Sequence, residues 1–382
     1  MAVKRVSVFL ILAAIILLIV FFFLRAKDDM ADFGVNYKAG QRLRSGETLY
    51  RTADGHWQFK YLPFSAFLYL PLTLLPLGMA KAVWFWTVAI AGLMIFVISL
   101  KIIDYKGNTV FSPALFAALV LARYLLRELQ LGQINALLTL LLLVAIRFLS
   151  ESSRRPAGAP GGALVGLGTA LKPYAAAFLP YLALRKKWAG LASCLAVLGL
   201  CTLAPALFYG WKGNLIVLGE WRSSLSASTP SLLASQDNVS LLALLMKRTH
   251  DYGLSLIIYG FVVAALSILV VFLVLRGNRS SGPRTALEGF LLLALIPLVS
   301  PLGWDYTFLS TAPALLLIYR HYDKYRSFWK VFLVFNSLVI CLSLYDVMGR
   351  RLYSAFMSYS VITVHFLALI GYLAYLRIKG HA

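Results

Sequence analysis

Long apolar runs without a charged residue recur along the whole chain and constrain its fold more than any other feature. A helix needs about 20 apolar residues to cross the ~30 Å core of a bilayer, because its backbone polar groups must be satisfied internally. The sequence therefore predicts an all-α polytopic membrane protein, a single domain over residues 1–382, with about ten transmembrane helices. The predicted spans are Val6–Leu24, Ala80–Leu100, Phe111–Leu126, Ile134–Leu149, Trp188–Tyr209, Leu254–Leu275, Ala286–Ser300, Trp304–Tyr319, Phe328–Tyr345 and Ser354–Leu376.

The charge of the chain must be explained within this membrane fold. Hydrophobic residues make up 60% of the chain and charged residues 13%, yet the formal net charge is +21. The apolar content excludes a disordered chain. A soluble nucleic-acid-binding protein would not carry the long apolar runs, so we expect no nucleic-acid partner. Cys194, Cys201 and Cys341 all fall in predicted spans, where they behave as small hydrophobic residues.

The distribution of basic residues predicts the orientation of the helices. Met1–Arg5 is basic and no small-residue cleavage site precedes Arg25, so we interpret the first run as a retained helix with a cytoplasmic amino end. Alternation from there places 19 of the 36 basic residues in cytoplasmic segments, together with only four acids. Because cytoplasmic loops carry the excess of Lys and Arg, both termini are predicted to be cytoplasmic.

Two further apolar stretches are ambiguous. Tyr61–Leu77 contains three prolines, and Leu164–Leu184 is interrupted by Lys172-Pro173. The basic segments on either side of the second stretch, Arg147–Arg155 and Arg185–Lys187, both favour the cytoplasmic face. We therefore favour a re-entrant hairpin that turns at its Lys-Pro pair. The alternative is one full span, which would invert the orientation of everything that follows. Ser150–Gly162 is predicted to be a cytoplasmic loop.

The first long outside segment, residues 25–79, is typical of a functional loop. It begins with an amphipathic helix that we expect to lie at the membrane interface. Asp32 is placed to cap the amino end of this helix, and the nearby Asp28 and Asp29 are expected to be solvated. The apolar side holds Phe33, Val35, Tyr37, Ala39 and Leu43, and the side facing away holds Asn36, Lys38, Gln41, Arg42 and Arg44.

The second long outside segment covers residues 210–253. Trp221 and Arg222 are typical of residues that anchor a helix at the interface. Asn238 lies in a polar stretch before the apolar run Leu241–Met246, which indicates a short capped helix lying on the membrane.

Several polar residues lie in or beside predicted spans. A charge inside a membrane costs about 2.5–3.5 kcal/mol on insertion scales, so Lys172 either meets an anion, such as a carboxylate or a substrate phosphate, or snorkels to the interface. Arg123 and Arg127 lie four residues apart on one helix face, where they either grip a phosphate or anchor the helix end. Gln133 and Asn135 are polar residues at the start of the next span.

Common catalytic motifs are missing from the sequence. There is no Walker loop, HExxH, GxSxG or DxD motif, and the five histidines show no ligand spacing. This pattern argues against nucleotide hydrolysis, metalloprotease and serine-hydrolase chemistry and supports neither a metal nor a cofactor.

The order of short motifs resembles that of glycosyltransferase family 87, a family of the GT-C superfamily. The resemblance covers nearly the whole chain, and although each motif is short, their order and spacing together are specific. The motifs are Asp32-Phe33-x-x-x-Tyr37-x-Ala39-Gly40, Gly46-x-x-Leu49-Tyr50, Phe59-Lys60-Tyr61-Leu62-Pro63, Leu74-Leu75-Pro76, Gly132-Gln133-Ile134-Asn135, Leu171-Lys172-Pro173-Tyr174, Asn238-x-Ser240 and Ser300-Pro301.

This resemblance implies a GT-C-like bundle that transfers a hexose, mannose being the expected type, from a polyprenyl-phosphate carrier. The acceptor would be a lipid or glycan at the outer face of the bacterial cytoplasmic membrane, and no metal or cofactor would be needed. In GT-C enzymes an acidic residue after the first helix is the base, a position that Asp32 matches. Direct displacement with this base would invert the anomeric centre.

The same resemblance suggests partners for the rest of the substrate. Positive charge for the departing phosphate would come from Lys172 with one of Arg123, Arg127 or Arg222. Aromatic rings for stacking on sugar would come from Tyr37, Tyr61 and Trp304, with Gln133, Asn135 and Asn238 as further motif residues in the site. Asp305, in the predicted outside turn Ser300–Tyr306, departs from the family pattern. It is a candidate either for the acceptor side or for a supporting role behind the residues that contact substrate, and the role of Lys60 is open.

Two other classes of function compete with this interpretation. The broken stretch around Lys172 also suits a secondary transporter, although no second copy of a broken helix is evident. A flippase or a non-catalytic assembly factor for envelope glycans would tolerate mutation of Asp32.

Overall fold

The computed structural model describes residues 2–105, 113–150, 158–233, 235–276 and 282–380, and within them the chain is helical apart from turns and one isolated β-bridge between Asn238 and Trp304. The α-helices are α1 Ala2–Phe21, α2 Ala31–Arg44, α3 Leu77–Ile102, α4 Pro113–Leu131, α5 Asn135–Ser150, α6 Gly158–Leu171, α7 Phe178–Leu184, α8 Trp188–Leu203, α9 Ala206–Leu233, α10 Leu241–Thr249, α11 Tyr252–Leu275, α12 Gly282–Val299, α13 Ala312–Arg320, α14 Ser327–Leu342, α15 Tyr345–Ser358 and α16 Val361–Lys379. A π-helix, Phe22–Ala26, continues α1, and 3-10 helices cover Thr52–Trp57, Pro63–Tyr69, Pro71–Leu74, Pro173–Ala177, Asp305–Thr311 and Tyr322–Lys324.

Three helices of the described chain, α3, α11 and α16, are long and apolar enough to cross a membrane. Three further pairs combine enough length with enough apolar character only when taken together, and they bend sharply where they join: α4 and α5 by 118°, α8 and α9 by 91°, and α14 and α15 by 98°. An all-α membrane protein is therefore confirmed, whereas the number of ten spans stays a prediction.

Four predicted spans are not single straight helices. Hydropathy measures how long an apolar run is but not where the backbone changes direction, so these breaks were missed. At Ser360, for example, φ is +48° and the helix restarts in α16. The four predicted spans are Trp188–Tyr209, Trp304–Tyr319, Phe328–Tyr345 and Ser354–Leu376.

The interrupted stretch around Lys172 reverses direction. A Cβ on Gly162 would lie 1.9 Å from the carbonyl oxygen of Gly190, and one on Gly166 would lie 2.4 Å from that of Cys194. Because a step of four residues along α6 matches a step of four along α8, these helices run parallel. The intervening α7 must therefore return to the end where α6 began, which agrees with the predicted hairpin. The hairpin begins at Gly158, so the end of the predicted loop Ser150–Gly162 is helical, and residues 151–157 of that loop lie outside the described residues.

A buried ionic cluster holds the base of this hairpin. Glu288 of α12 accepts hydrogen bonds from Arg185 Nε at 2.9 Å, from Arg377 at 2.7 Å and from the Tyr181 hydroxyl at 3.2 Å. Charged groups are buried only when they are paired, so this cluster ties α7 to α12 and α16. The hairpin tip, which carries Lys172, is thereby held at the opposite end.

The two segments predicted to lie outside are more ordered than loops. The second is largely helical, because α9 continues to Leu233 past a break at Gly210. The predicted capped helix is confirmed as α10, where the Ser240 side chain accepts from the amide of Ala243 at 3.1 Å. Helix α15, within a stretch predicted to be partly loop, was missed.

Candidate active site

A glycine turn docks the start of α2 against the junction of α4 and α5. Gly132 has φ of +69°, and a Cβ there would lie 2.6 Å from the Cβ of Phe33. Only glycine adopts this conformation without strain and leaves room for the neighbouring helix. The Trp84 indole donates to the Gly132 carbonyl at 2.9 Å, and the Met30 amide donates to that of Gln130 at 2.9 Å. The residues that follow the turn therefore face Asp32.

Asp32 lies in the first turn of α2, and its Oδ2 accepts a hydrogen bond from Gln133 Nε2 at 2.7 Å. The capping prediction is wrong, because the cap position belongs to Met30 and the carboxylate is engaged by Gln133 instead. Burial raises the pKa of the Asp32 carboxyl above its usual range, while the hydrogen bond from Gln133 and the charges of Lys172 and Arg127 partly oppose that rise. A carboxylate with a raised pKa is a stronger base than an exposed one.

The neighbouring acids of this segment differ in exposure. Asp28 is solvated as predicted, with a side chain that is 87% exposed. Asp29 is not simply solvated, because its Oδ2 accepts from Gln130 Nε2 at 2.9 Å.

Lys172 is buried, with only 4% of its surface exposed, so it does not snorkel to an interface. Its ammonium donates to Asn135 Oδ1 at 2.8 Å and to Gln133 Oε1 at 3.3 Å. The same ammonium lies 5.0 Å from the ring centre of Tyr61 and 5.4 Å from that of Tyr174. Gln133 thus bridges the buried cation and the Asp32 carboxylate.

A buried carboxylate that sequence reasoning missed completes this network. Glu128 is fully buried and accepts from Asn135 Nδ2 at 2.8 Å and from the Ala136 amide at 2.9 Å. It therefore orients the Asn135 amide so that Oδ1 faces Lys172. The available signal was the only acid in a predominantly apolar helix, four residues before the Gly132 turn.

The network opens into a cavity of about 1400 Å³. Near Asp32 its wall is polar and carries the side chains of Lys60, Tyr61, Arg127, Gln133 and Lys172. Burial lowers the pKa of Lys60, and the nearby Asp32 carboxylate opposes that change. In another direction the wall is apolar, with Ala177, Pro180 and Leu184 from the hairpin, Val263, Leu266, Val270 and Val271 from α11, and Leu292, Leu295, Ile296 and Val299 from α12.

The mouth of the cavity, formed by a group of lining residues that are exposed or half-exposed, carries acids and aromatic rings. Its residues are His56, Trp57, Asp237, Trp304, Asp305, Tyr345, Asp346 and Tyr353. Tyr345, Asp346 and Tyr353 belong to α15, so this helix, which the sequence did not predict, covers one side of the site. Within the described residues, no group of three or more His, Cys, Asp or Glu residues could hold a metal ion.

The two arginines predicted to grip a phosphate have different environments. Arg123 donates to Asp305 Oδ2 and to Ser343 Oγ, the latter at 2.7 Å, so much of its charge is already compensated. Arg127 is exposed, lines the cavity and lies close enough to Asp32 to lower the pKa of that carboxyl.

Four predicted site residues lie outside the cavity wall, and one of them, Asn135, reaches the site through the hydrogen bond that it accepts from Lys172. Tyr37 is buried and donates to the Leu75 carbonyl at 2.8 Å, so its ring packs inside the protein. Asn238 is buried and bridges the turn Ser300–Tyr306, since it donates to the Pro301 carbonyl at 3.0 Å and accepts from the Gly303 amide at 3.1 Å. Arg222 is exposed on α9, a surface position consistent with an anchor.

Comparison with known proteins adds a family match. The sequence profile of glycosyltransferase family 87 matches residues 59–301, a range that includes Lys60, Gln133 and Lys172 but not Asp32. No solved structure matches this chain.

Two relatives come from Mycolicibacterium smegmatis. One is a polyprenol-phosphate-mannose-dependent alpha-(1-2)-phosphatidylinositol pentamannoside mannosyltransferase, 25% identical over 273 residues, which cover 70% of this chain and 62% of the relative. The other is a polyprenol-phosphate-mannose-dependent alpha-(1-2)-phosphatidylinositol mannoside mannosyltransferase, 26% identical over 325 residues, which cover 78% of this chain and 71% of the relative. The match thus spans less than two thirds of the first relative's length.

Proposed function

Because this chain belongs to glycosyltransferase family 87, we propose that it transfers a hexose from a polyprenyl-phosphate carrier to a hydroxyl of a lipid or glycan acceptor. Mannose is the proposed sugar, since both relatives are named for polyprenol-phosphate-mannose. The proposed site of reaction is the outer face of the cytoplasmic membrane. The observation that carries the proposal is one cavity in which a partly buried carboxylate, Asp32, lies beside the cations Lys60, Arg127 and Lys172.

Asp32 acts as the general base in this proposal. The acceptor oxygen forms a bond to the anomeric carbon while the bond from that carbon to the phosphate oxygen breaks. The polyprenyl phosphate leaves with the electron pair, and the hydroxyl proton moves to the Asp32 carboxylate. Gln133 holds Oδ2 of this carboxylate, which fixes its orientation toward the cavity. A single displacement inverts the anomeric centre.

The cations serve the phosphate, which gains charge as it departs. Fixed positive charge in a site with little water stabilises such a leaving group more than it would in bulk solvent. Lys172 is pre-oriented by Asn135 and Gln133, and Arg127 and Lys60 line the same wall. Arg123 contributes less, because Asp305 already pairs with it.

The apolar wall suits the prenyl chain. It is formed by the hairpin, α11 and α12. Helix α11 faces outward for most of its length, since only 11% of its most apolar 18-residue stretch is buried inside the protein. A chain that enters the cavity beside α11 exchanges bilayer for a protein surface of similar polarity. The carrier phosphate then meets the basic wall while the prenyl chain stays against apolar side chains.

The direct test incubates the purified protein with a panel of polyprenyl-phosphate hexoses and a lipid extract. Products are read by mass spectrometry. The proposal predicts one acceptor lipid that gains a hexose, with release of an equal amount of polyprenyl phosphate. Movement of unchanged donor across proteoliposomes, with no product, would instead support a flippase or transporter.

A further inference from the structure

One buried polar atom beside Asp32 has no partner. Asn36 lies one helical turn after Asp32 on α2, lines the cavity and is only 2% exposed. Its Nδ2 donates to the Asp32 backbone carbonyl at 2.8 Å, whereas its Oδ1 has no hydrogen-bond partner within the described residues. Sequence periodicity predicted that Asn36 faces away from the protein, and that prediction is wrong because the polar wall of the cavity runs along this face.

The orientation of this amide follows from chemistry. A backbone carbonyl only accepts hydrogen bonds, so the atom that faces the Asp32 carbonyl must be the NH₂ group. The carbonyl oxygen of the Asn36 side chain is therefore the unpartnered atom. A buried acceptor without a partner is costly in folded proteins, and this one belongs to a residue of the cavity wall, where a bound molecule can supply the donor.

We propose that Asn36 Oδ1 accepts a hydrogen bond from a hydroxyl of the sugar that is transferred, and so selects among sugars. This inference rests on the proposed glycosyltransferase function and names a specificity-determining residue within it. Residues four apart on a helix have Cβ atoms about 5–6 Å apart, so a sugar ring placed at the Asp32 carboxylate reaches Asn36.

The transferred sugar fits this position better than the acceptor does. Its anomeric carbon must lie within bonding distance of the hydroxyl held by Asp32, whereas the rest of the acceptor extends toward the open mouth near Trp57 and Asp346. Both mouth residues are exposed, while Asn36 is buried in the wall. A buried wall position contacts the part of the substrate that enters most deeply.

The test compares donors that differ by one hydroxyl. The full hexose donor and its singly deoxygenated analogues are assayed with wild type and with Asn36→Leu, with the acceptor held constant. We expect wild type to disfavour one deoxy donor by about 10- to 100-fold in kcat/KM, because that donor leaves Oδ1 unpaired. Asn36→Leu should lose this one preference and keep the others. If the Asn36→Leu protein does not fold, Asn36→Ala is assayed in its place.

Asn214 provides a matched control. It is 1% exposed, its Nδ2 donates to the Thr202 carbonyl at 3.2 Å, and its Oδ1 also lacks a partner, but it lies on α9 outside the cavity wall. Asn214→Leu should keep the wild-type donor profile. Unchanged discrimination in the Asn36 variants, or an equal loss in Asn214→Leu, overturns the inference. A wild type that transfers sugar with no preference among the donors refutes this inference alone, whereas one that transfers no sugar refutes the proposed function and this inference with it.

Discussion

Replacing Gln133 by leucine removes the amide that joins the proposed base to the buried cation. The variant loses the 2.7 Å hydrogen bond from Gln133 Nε2 to Asp32 Oδ2 and the contact of Lys172 with Oε1 at 3.3 Å. A hydrogen bond to a charged group contributes about 1.5–3 kcal/mol. Since about 1.4 kcal/mol corresponds to a tenfold change, loss of the bond that orients Asp32 should lower kcat/KM by about 10- to 100-fold.

The same substitution should move the pH profile of the reaction. A general base works only when deprotonated, so activity rises with pH through the pKa of Asp32. The Gln133 hydrogen bond is the largest of the contacts that lower this pKa, and Lys172, which Gln133 helps to position, is the next. Both effects have the same sign, and the acid limb of kcat/KM in Gln133→Leu should therefore lie at higher pH than in wild type.

The assay measures hexose transfer across a pH series with purified wild type, Gln133→Leu and Gln130→Leu. Gln130 is the matched control, because its Nε2 makes an equivalent 2.9 Å bond to Asp29, which is not the proposed base. Its variant should leave the acid limb in place. If the acid limb of Gln133→Leu lies at the same pH as in wild type, or at lower pH, Asp32 is not a base whose pKa is lowered by Gln133.

Two further predictions follow from the cation and the turn. Lys172→Met should lower kcat/KM for the donor at least 10-fold, because charge-assisted contacts to the phosphate are lost. Lys186 is an exposed lysine at the other end of the hairpin, and Lys186→Met should match wild type in the same donor titration. Gly132→Ala should lower the free energy of unfolding by about 1–2 kcal/mol from its left-handed backbone alone, and more from the 2.6 Å approach to Phe33. Thermal unfolding compares the stability of Gly132→Ala with that of Gly219→Ala, where a Cβ meets nothing within 4 Å. Equal stability of the two variants would contradict the prediction.

Local patterns in the sequence predicted the local parts of this site. The apolar row of α2 is buried at Phe33, Ala39 and Leu43, and the chain reverses at Lys172-Pro173, where proline cannot continue the helix. The same reasoning placed Asn36 on the side of α2 that faces away from the protein, because an interpretation from periodicity assumes that polar residues face solvent. A cavity wall breaks that assumption.

Contacts between distant parts of the chain could not be predicted. Asp32 meets Gln133 across 101 positions, and Arg123 meets Asp305 across 182. Nothing in the composition of either segment specifies which other segment it faces. Hydropathy likewise records apolar length but not direction, so the 98° bend that carries α15 over the mouth of the cavity was missed.

The role of Asp32 as the base is tested most directly by exchanging its carboxylate for an amide. Hexose transfer from the polyprenyl-phosphate donor is measured by mass spectrometry for Asp32→Asn and for Asp28→Asn, whose side chain is 87% exposed. Loss of a general base typically costs about 10²- to 10⁴-fold, so Asp32→Asn should lose transfer by that factor while Asp28→Asn retains it. Wild-type turnover by a folded Asp32→Asn protein would contradict the account.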